Sequence, residues 1–217
     1  MTIERKQYSI LTWKYEALLV SLLLLLFGNL FVPESIEETA QAVYIILTIV
    51  VGLAIFEFSK TWRRIIISML ISICVLEVLH LFDIVNLRPL LASIYIIYFV
   101  ILSVKLYHVI YKSKTDEKDL IVAAFCGFIM LGFLASFVFV ILESVQPGSF
   151  TNIEATGKVR YQNIQYFSFI TTLTIGYGDI VPSSELAKKV TVLFGLMGNF
   201  YSVFVIGIII GKYLNKK

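Results

Sequence analysis

The stretch Thr174-Ile175-Gly176-Tyr177-Gly178-Asp179 decides how this chain is read. It lies between two long apolar segments and follows a run rich in aromatics and threonines, Tyr166 to Leu173. A regular strand turns alternate carbonyls to opposite sides. Glycine takes φ > 0 readily, so Gly176 and Gly178 can bring their carbonyls back to the side of their neighbours. A row of carbonyls on one side can replace the water shell of a cation in a narrow passage. The expected row is Thr174, Ile175, Gly176 and Tyr177, with Gly178 closing it and the Thr174 hydroxyl at its other end. Ile175 and Tyr177 are then expected to point their side chains away from the ion.

Composition sets the class independently. The chain is 59% hydrophobic and 15% charged, with a mean hydropathy of +0.88. A soluble domain has no use for that much apolar surface, so the solvent is a bilayer. A hydrocarbon core of about 30 Å takes about 20 helical residues. Six candidate spans follow, at about 16–32, 40–57, 65–82, 88–110, 120–142 and 187–213. Backbone groups in lipid must be satisfied internally, so these are expected to be helices. The fold class expected is an all-α membrane protein.

Basic residues orient the spans. With the N terminus inside, thirteen of the 18 Lys and Arg residues fall on the cytoplasmic side and five outside. Trp13 and Trp62 fall at the inner interface, and the first outer loop is acidic at Glu34, Glu37 and Glu38. Both termini are expected in the cytoplasm, and the 174–179 stretch at the outer face. The net charge of +3 reflects this topology and calls for no nucleic-acid partner. Metal-site spacings, phosphate loops and a nucleophile with its base are absent from the sequence, so no cofactor and no enzyme activity are expected.

The Gly-Tyr-Gly-Asp stretch resembles the selectivity filter of the potassium channel family. The resemblance covers roughly residues 119–217. Residues 166–173 look like the family's pore helix, expected over about Ile164 to Leu173, and Asp179 and Pro182 fit its exit loop. Gly198 falls where the family places its gating-hinge glycine. The resemblance implies a re-entrant pore helix and filter between the fifth and sixth spans, with K+ as the permeant ion at Thr174, Ile175, Gly176 and Tyr177. It implies filter support from Asp179, Tyr166, Phe167 and Ile170, with Tyr166, Phe167 and Phe169 forming an aromatic cuff around Tyr177. This sequence departs from the family at Leu173, where a Thr is usual, and at Phe167, where a Trp often donates to the filter Tyr. Ile170 replaces a carboxylate that in some members pairs with the filter Asp, and the Tyr166 hydroxyl is within reach to serve instead. Alternatives from other classes are a less selective cation channel and a non-conducting regulatory or sensor subunit with a pore-like fold.

Two domains are expected: a four-helix membrane unit over 1–118, and a pore unit over 119–217 with its pore loop at 163–182. One filter copy per chain requires four chains around an ion, most simply a homotetramer. Little follows the last span, so no cytoplasmic ligand domain is expected within this chain. The setting expected is the plasma membrane of a prokaryote.

The sixth span has no proline, so Gly198 is the expected bend. Ile206 and Ile210 share a face near the inner mouth, where apolar rings can close a pore by dewetting. The fourth span carries only Arg88 and Lys105, too few charges for steep voltage gating. Glu77 and His80 lie three residues apart in the apolar third span. A carboxylate there must be paired, protonated or facing water; a tie to Arg88 or a tyrosine and a sensing role are both open.

Overall fold

The structure, a computed structural model, describes residues 2–55, 60–81, 88–112, 117–153 and 158–214. Its helices are α1 (Thr2–Phe27), α2 (Glu37–Ile55), α3 (Lys60–Leu81), α4 (Arg88–Lys112), α5 (Glu117–Val145), α6 (Lys158–Thr172) and α7 (Glu185–Leu214). Two short strands, β1 (Phe150–Thr151) and β2 (Val181–Pro182), pair antiparallel, with Phe150 opposite Pro182 and Thr151 opposite Val181.

Among the described residues, three helical stretches are long and apolar enough to cross a membrane: Trp13–Phe31, Pro89–His108 and Lys118–Val145. Thr39–Leu53 is a shorter apolar helix. The expected spans at 65–82 and 187–213 fall in α3 and α7, continuous helices of 22 and 30 residues. The chain is thus almost wholly helical, as an all-α membrane protein should be.

Element boundaries differ from the sequence reading at two places. The first helix begins at Thr2, well before the apolar stretch, and ends at Phe27 in a 3-10 turn over Gly28–Phe31. Helix α6 begins at Lys158 rather than near Ile164. Its first turns carry Lys158 and Arg160, which read as loop by polarity although both are good helix formers.

The chain divides into two compact units. One holds residues 1–85 and 102–127; the other holds 86–101 and 128–217. The boundary expected at 118/119 differs from this division, because α4 and α5 each contribute to both units.

Within the first unit, α1 and α2 form a close antiparallel pair. Leu18, Leu22, Leu25, Ile45 and Ile49 are buried there. The Thr48 hydroxyl donates to the Tyr44 carbonyl at 2.8 Å and lies 3.4 Å from the Ser21 carbonyl. Gly28 is a close approach: a Cβ there would lie 2.7 Å from Cζ of Tyr44. The Lys118 ammonium pairs with Glu16 at 2.6 Å, and the buried Cys126 thiol faces the Tyr15 carbonyl at 3.7 Å. Cys74 and Cys126 are both free.

The second unit is aromatic. Phe99 meets Phe133 and Phe137 at 5.8 and 5.4 Å between ring centroids. Phe139 is the hub of another cluster, with Phe150, Phe167 and Phe194 at 5.2, 5.3 and 5.7 Å. In lipid the hydrophobic effect does not drive helices together; close fit and interhelical hydrogen bonds do. Two glycines provide that fit around α6. A Cβ on Gly132 of α5 would lie 2.6 to 2.9 Å from the Phe169 ring. The Ser168 hydroxyl donates to the Gly132 carbonyl at 3.1 Å, and the Phe169 ring meets Phe133 edge-on at 5.3 Å. On the other side, α7 lays Gly198 against the end of α6, where a Cβ would run into the Thr172 carbonyl and lie 3.0 Å from the Thr172 Cα.

Gly198 therefore has a packing role, and α7 continues as α-helix through it. The obstruction is backbone, which cannot swing aside as a side chain would. Gly198→Ala is expected to push α7 off α6 and cost about 1–3 kcal/mol, the usual range for overpacking. Thermal unfolding in detergent should show a lower melting temperature; an unchanged one would mean that α7 shifts freely there.

Candidate functional site

The loop after α6 begins with a helix cap. The Thr174 amide donates to the Thr171 carbonyl at 3.0 Å, and the Ile175 amide reaches back to the Ile170 carbonyl at 2.9 Å. Those two bonds around a left-handed residue make a Schellman motif. The left-handed residue is Thr174, with φ of 60°. Glycine is usual there; a β-branched residue with φ > 0 is a genuine outlier.

The same conformation then recurs at every second residue. Gly176 has φ of 57° and Gly178 has φ of 82°. Ile175 and Tyr177 are not in the left-handed region. Alternation of left- and right-handed residues keeps successive carbonyls to one side, where a regular strand would alternate them. Nothing lies within 4 Å of a Cβ built on Gly176 or Gly178. Within one chain, conformation rather than crowding requires glycine at these two positions. The Ile170 carbonyl also accepts from the Gly176 amide, at 3.3 Å. Ile170 thus supports the loop through its backbone.

Asp179 closes the loop and is held at three atoms. The Tyr166 hydroxyl donates to its Oδ2 at 2.7 Å. The Asn152 side-chain amide donates to its backbone carbonyl at 2.8 Å. The Ile180 amide caps Oδ1 at 3.0 Å. The Tyr166 bond is the main cause that holds the Asp179 carboxyl below its ordinary value of 3.8, with partial desolvation opposing it and the Ile180 amide adding to it.

Within one chain the three aromatics of α6 expected around Tyr177 have separate neighbours. Tyr166 is on the face of α6 towards the 174–179 loop, bonded to Asp179. Phe167 is buried between Phe139 and Phe150, and Phe169 lies over Gly132 and Phe133. The reason is helical period: residues 166 and 170 share one face, and 167 and 169 flank it. Phe167 supports the loop indirectly, through the ring of Phe150 on β1.

Residues not anticipated from sequence build the outer frame. Glu143, at the end of α5, is buried. Its carboxylate accepts from the Gly148 and Phe150 amides at 2.9 and 3.2 Å and pairs with Arg160 of α6 at 2.7 Å. One side chain therefore joins α5, the following loop and the start of α6. An acid at the end of an apolar helix reads as a loop residue. Its burial depends on Arg160, whose distance in sequence hides the pairing.

The candidate gate and sensor are less defined. The side chains of Ile206, Ile210, His80 and Arg88 lie outside the described residues. Their positions are on α7, α3 and α4. Glu77 is partly buried on α3. Among the described residues no cluster of His, Cys, Asp or Glu could hold a metal ion.

Residues 120–215 match the family model described as "Ion channel". The match covers most of α5, α6 with the loop after it, and α7. It supports an ion channel, and with the apolar helices it supports a membrane location. No curated protein and no solved structure matches the chain.

Two outcomes test this geometry. Thr174→Gly should relieve left-handed strain of about 1 kcal/mol and raise the melting temperature; a lower one would show that the Thr174 side chain contributes more than its backbone costs. The Asp179 tie has a pH signature. Its folded pKa lies below 3.8, so its contribution to stability is complete above that value and is lost as pH falls through the depressed one. Tyr166→Phe should lower the melting temperature at neutral pH and shrink its further fall on acidification below 3.8, so that variant and wild type converge in acid; an unchanged acid limb would place the sensitive group elsewhere.

Proposed function

We propose that the chain is one subunit of a potassium-selective channel that conducts K+ passively across the plasma membrane. The observation that carries this reading is the left-handed backbone at 174, 176 and 178, directly after the capped end of α6. Such a backbone offers a ladder of carbonyls that can replace the ion's water shell. The carbonyls of Thr174, Ile175, Gly176 and Tyr177 and the Thr174 hydroxyl would coordinate the ion. The end of α6 adds a negative helix-dipole end below the ladder, worth roughly 0.3–1 kcal/mol per helix at exposed sites and more when buried.

One chain supplies one wall. Leu173, Ile175 and Tyr177 are 47%, 47% and 71% exposed in the single chain. Val192, Leu196, Phe200 and Val203 of α7 are exposed on a helix that follows the loop. Four copies around an axis would complete the pathway, cover part of this apolar surface and leave the rest to lipid. Six spans with both termini in the cytoplasm agree with the distribution of basic residues and put the ladder at the outer side. The few charges on α4 favour opening that depends weakly on voltage. Relaxed cation selectivity is the second reading, favoured by Phe167, whose ring is held by Phe139 and Phe150 and has no donor for the filter Tyr.

Purified protein in liposomes should pass K+ down its gradient and largely exclude Na+. Gly178→Ala should abolish selective flux by at least about tenfold, since an L residue resists the required φ by roughly 1–2 kcal/mol, while the protein still runs as a tetramer in mild detergent. Retained K+ over Na+ selectivity in that variant would sink the filter assignment, and a conducting monomer would sink the tetramer.

A further inference from the structure

The described part of the loop after α5, residues 146–153, forms a short arm against the exit of the 174–179 stretch. Its base is fixed by Glu143, which accepts from Gly148 and Phe150. Next, the Ser183 amide donates to the Ser149 carbonyl at 2.7 Å, and β1 pairs with β2. The Thr151 hydroxyl faces the Val181 carbonyl at 3.3 Å. At the tip, Asn152 takes a left-handed conformation, φ 61°, and its amide donates to the Asp179 carbonyl. Asp179 is the residue that follows the last left-handed position, Gly178.

We propose that Asn152 is a positioning residue for the outer end of the filter: its amide, presented by the Glu143-anchored arm, holds the Asp179 peptide and so the orientation of the Tyr177–Gly178 carbonyls. This rests on the reading of the loop as a potassium filter. Tyr166 holds the Asp179 side chain, whose Oδ1 takes the amide end of the Asp179–Ile180 peptide; Asn152 holds the carbonyl end of that peptide. Asparagine suits both demands of the site. It tolerates the left-handed region better than other non-glycine residues, and its side chain carries an N–H donor.

The two demands can be separated by substitution. Asn152→Gly keeps the backbone conformation and removes the donor. Asn152→Asp keeps a similar shape and backbone tolerance but turns an acceptor towards the Asp179 carbonyl. A K+ ion in the outer filter binds the same carbonyls and favours their ordered arrangement by mass action. Loss of the Asn152 bond should therefore be offset by raising external K+, whereas a general folding defect should not.

The test is sustained K+ current through wild type, Asn152→Gly and Asn152→Asp in planar bilayers at low and high external K+, with melting temperatures measured alongside. At low external K+, Asn152→Gly is expected to reduce sustained current about two- to tenfold, the change in equilibrium that one lost hydrogen bond brings. Asn152→Asp should reduce it further. High external K+ should restore most of the Asn152→Gly current, with the melting temperature nearly unchanged. Wild-type current from Asn152→Gly at both K+ levels would overturn the proposal. So would a reduction that external K+ does not relieve. A wild type without K+ over Na+ selectivity would overturn the filter reading itself, and with it this role for Asn152.

Discussion

A peptide that must keep successive carbonyls on one side needs a left-handed residue at every second position. Here those positions are 174, 176 and 178, and the rest of the second unit can be understood as what keeps them so. Such a backbone has no strand partners and little internal hydrogen bonding. At its inner end it is continuous with the cap of α6, so the helix terminus and the first left-handed residue are the same structure. The strain at Thr174, of order 1–3 kcal/mol for a residue in a sparsely populated region, persists because the cap bonds and the packed helix over-determine it.

Holding the helix is therefore the first requirement. Phe169 over Gly132 and Thr172 against Gly198 fix α6 between α5 and α7. Close approach matters more here than apolar area, because lipid is as apolar as leucine. The outer end of the loop is held differently, by polar groups. Tyr166 and Asn152 fasten Asp179, and Glu143 with Arg160 fastens the elements that carry them. A buried carboxylate with an ion pair and two amide donors has its acceptor sites well used, which is the condition under which burial of a charge is tolerated.

Much of this was legible in the sequence, for local reasons. Glycine at 176 and 178 announces positive φ because few other residues adopt it. The Tyr166–Asp179 bond could be anticipated because one helical turn places the hydroxyl above the loop. Thr174 was read as a carbonyl donor but not as left-handed, since threonine by itself argues for β structure. Gly198 read as a bend, because sequence shows flexibility but not the carbonyl lying against it. Strands of two residues have no periodicity to detect, so β1 and β2 were invisible. Glu143 with Arg160, and Asn152 with Asp179, are contacts across the fold between residues whose individual polarity suggests loop. The intrachain neighbours of Phe167 and Phe169 are hidden because an aromatic run shows composition, and only the helix phase shows direction.

The central claim is that the alternating backbone at 174–178, repeated around an axis, forms a row of sites for dehydrated K+. Anomalous diffraction from crystals grown with rubidium or thallium, which replace potassium and scatter distinctively, tests it most directly. The account predicts a fourfold assembly with a line of anomalous peaks on its axis, each between successive layers of carbonyls from Thr174 to Tyr177. Carbonyls of this loop turned away from the symmetry axis, with no anomalous peak among them, would contradict it.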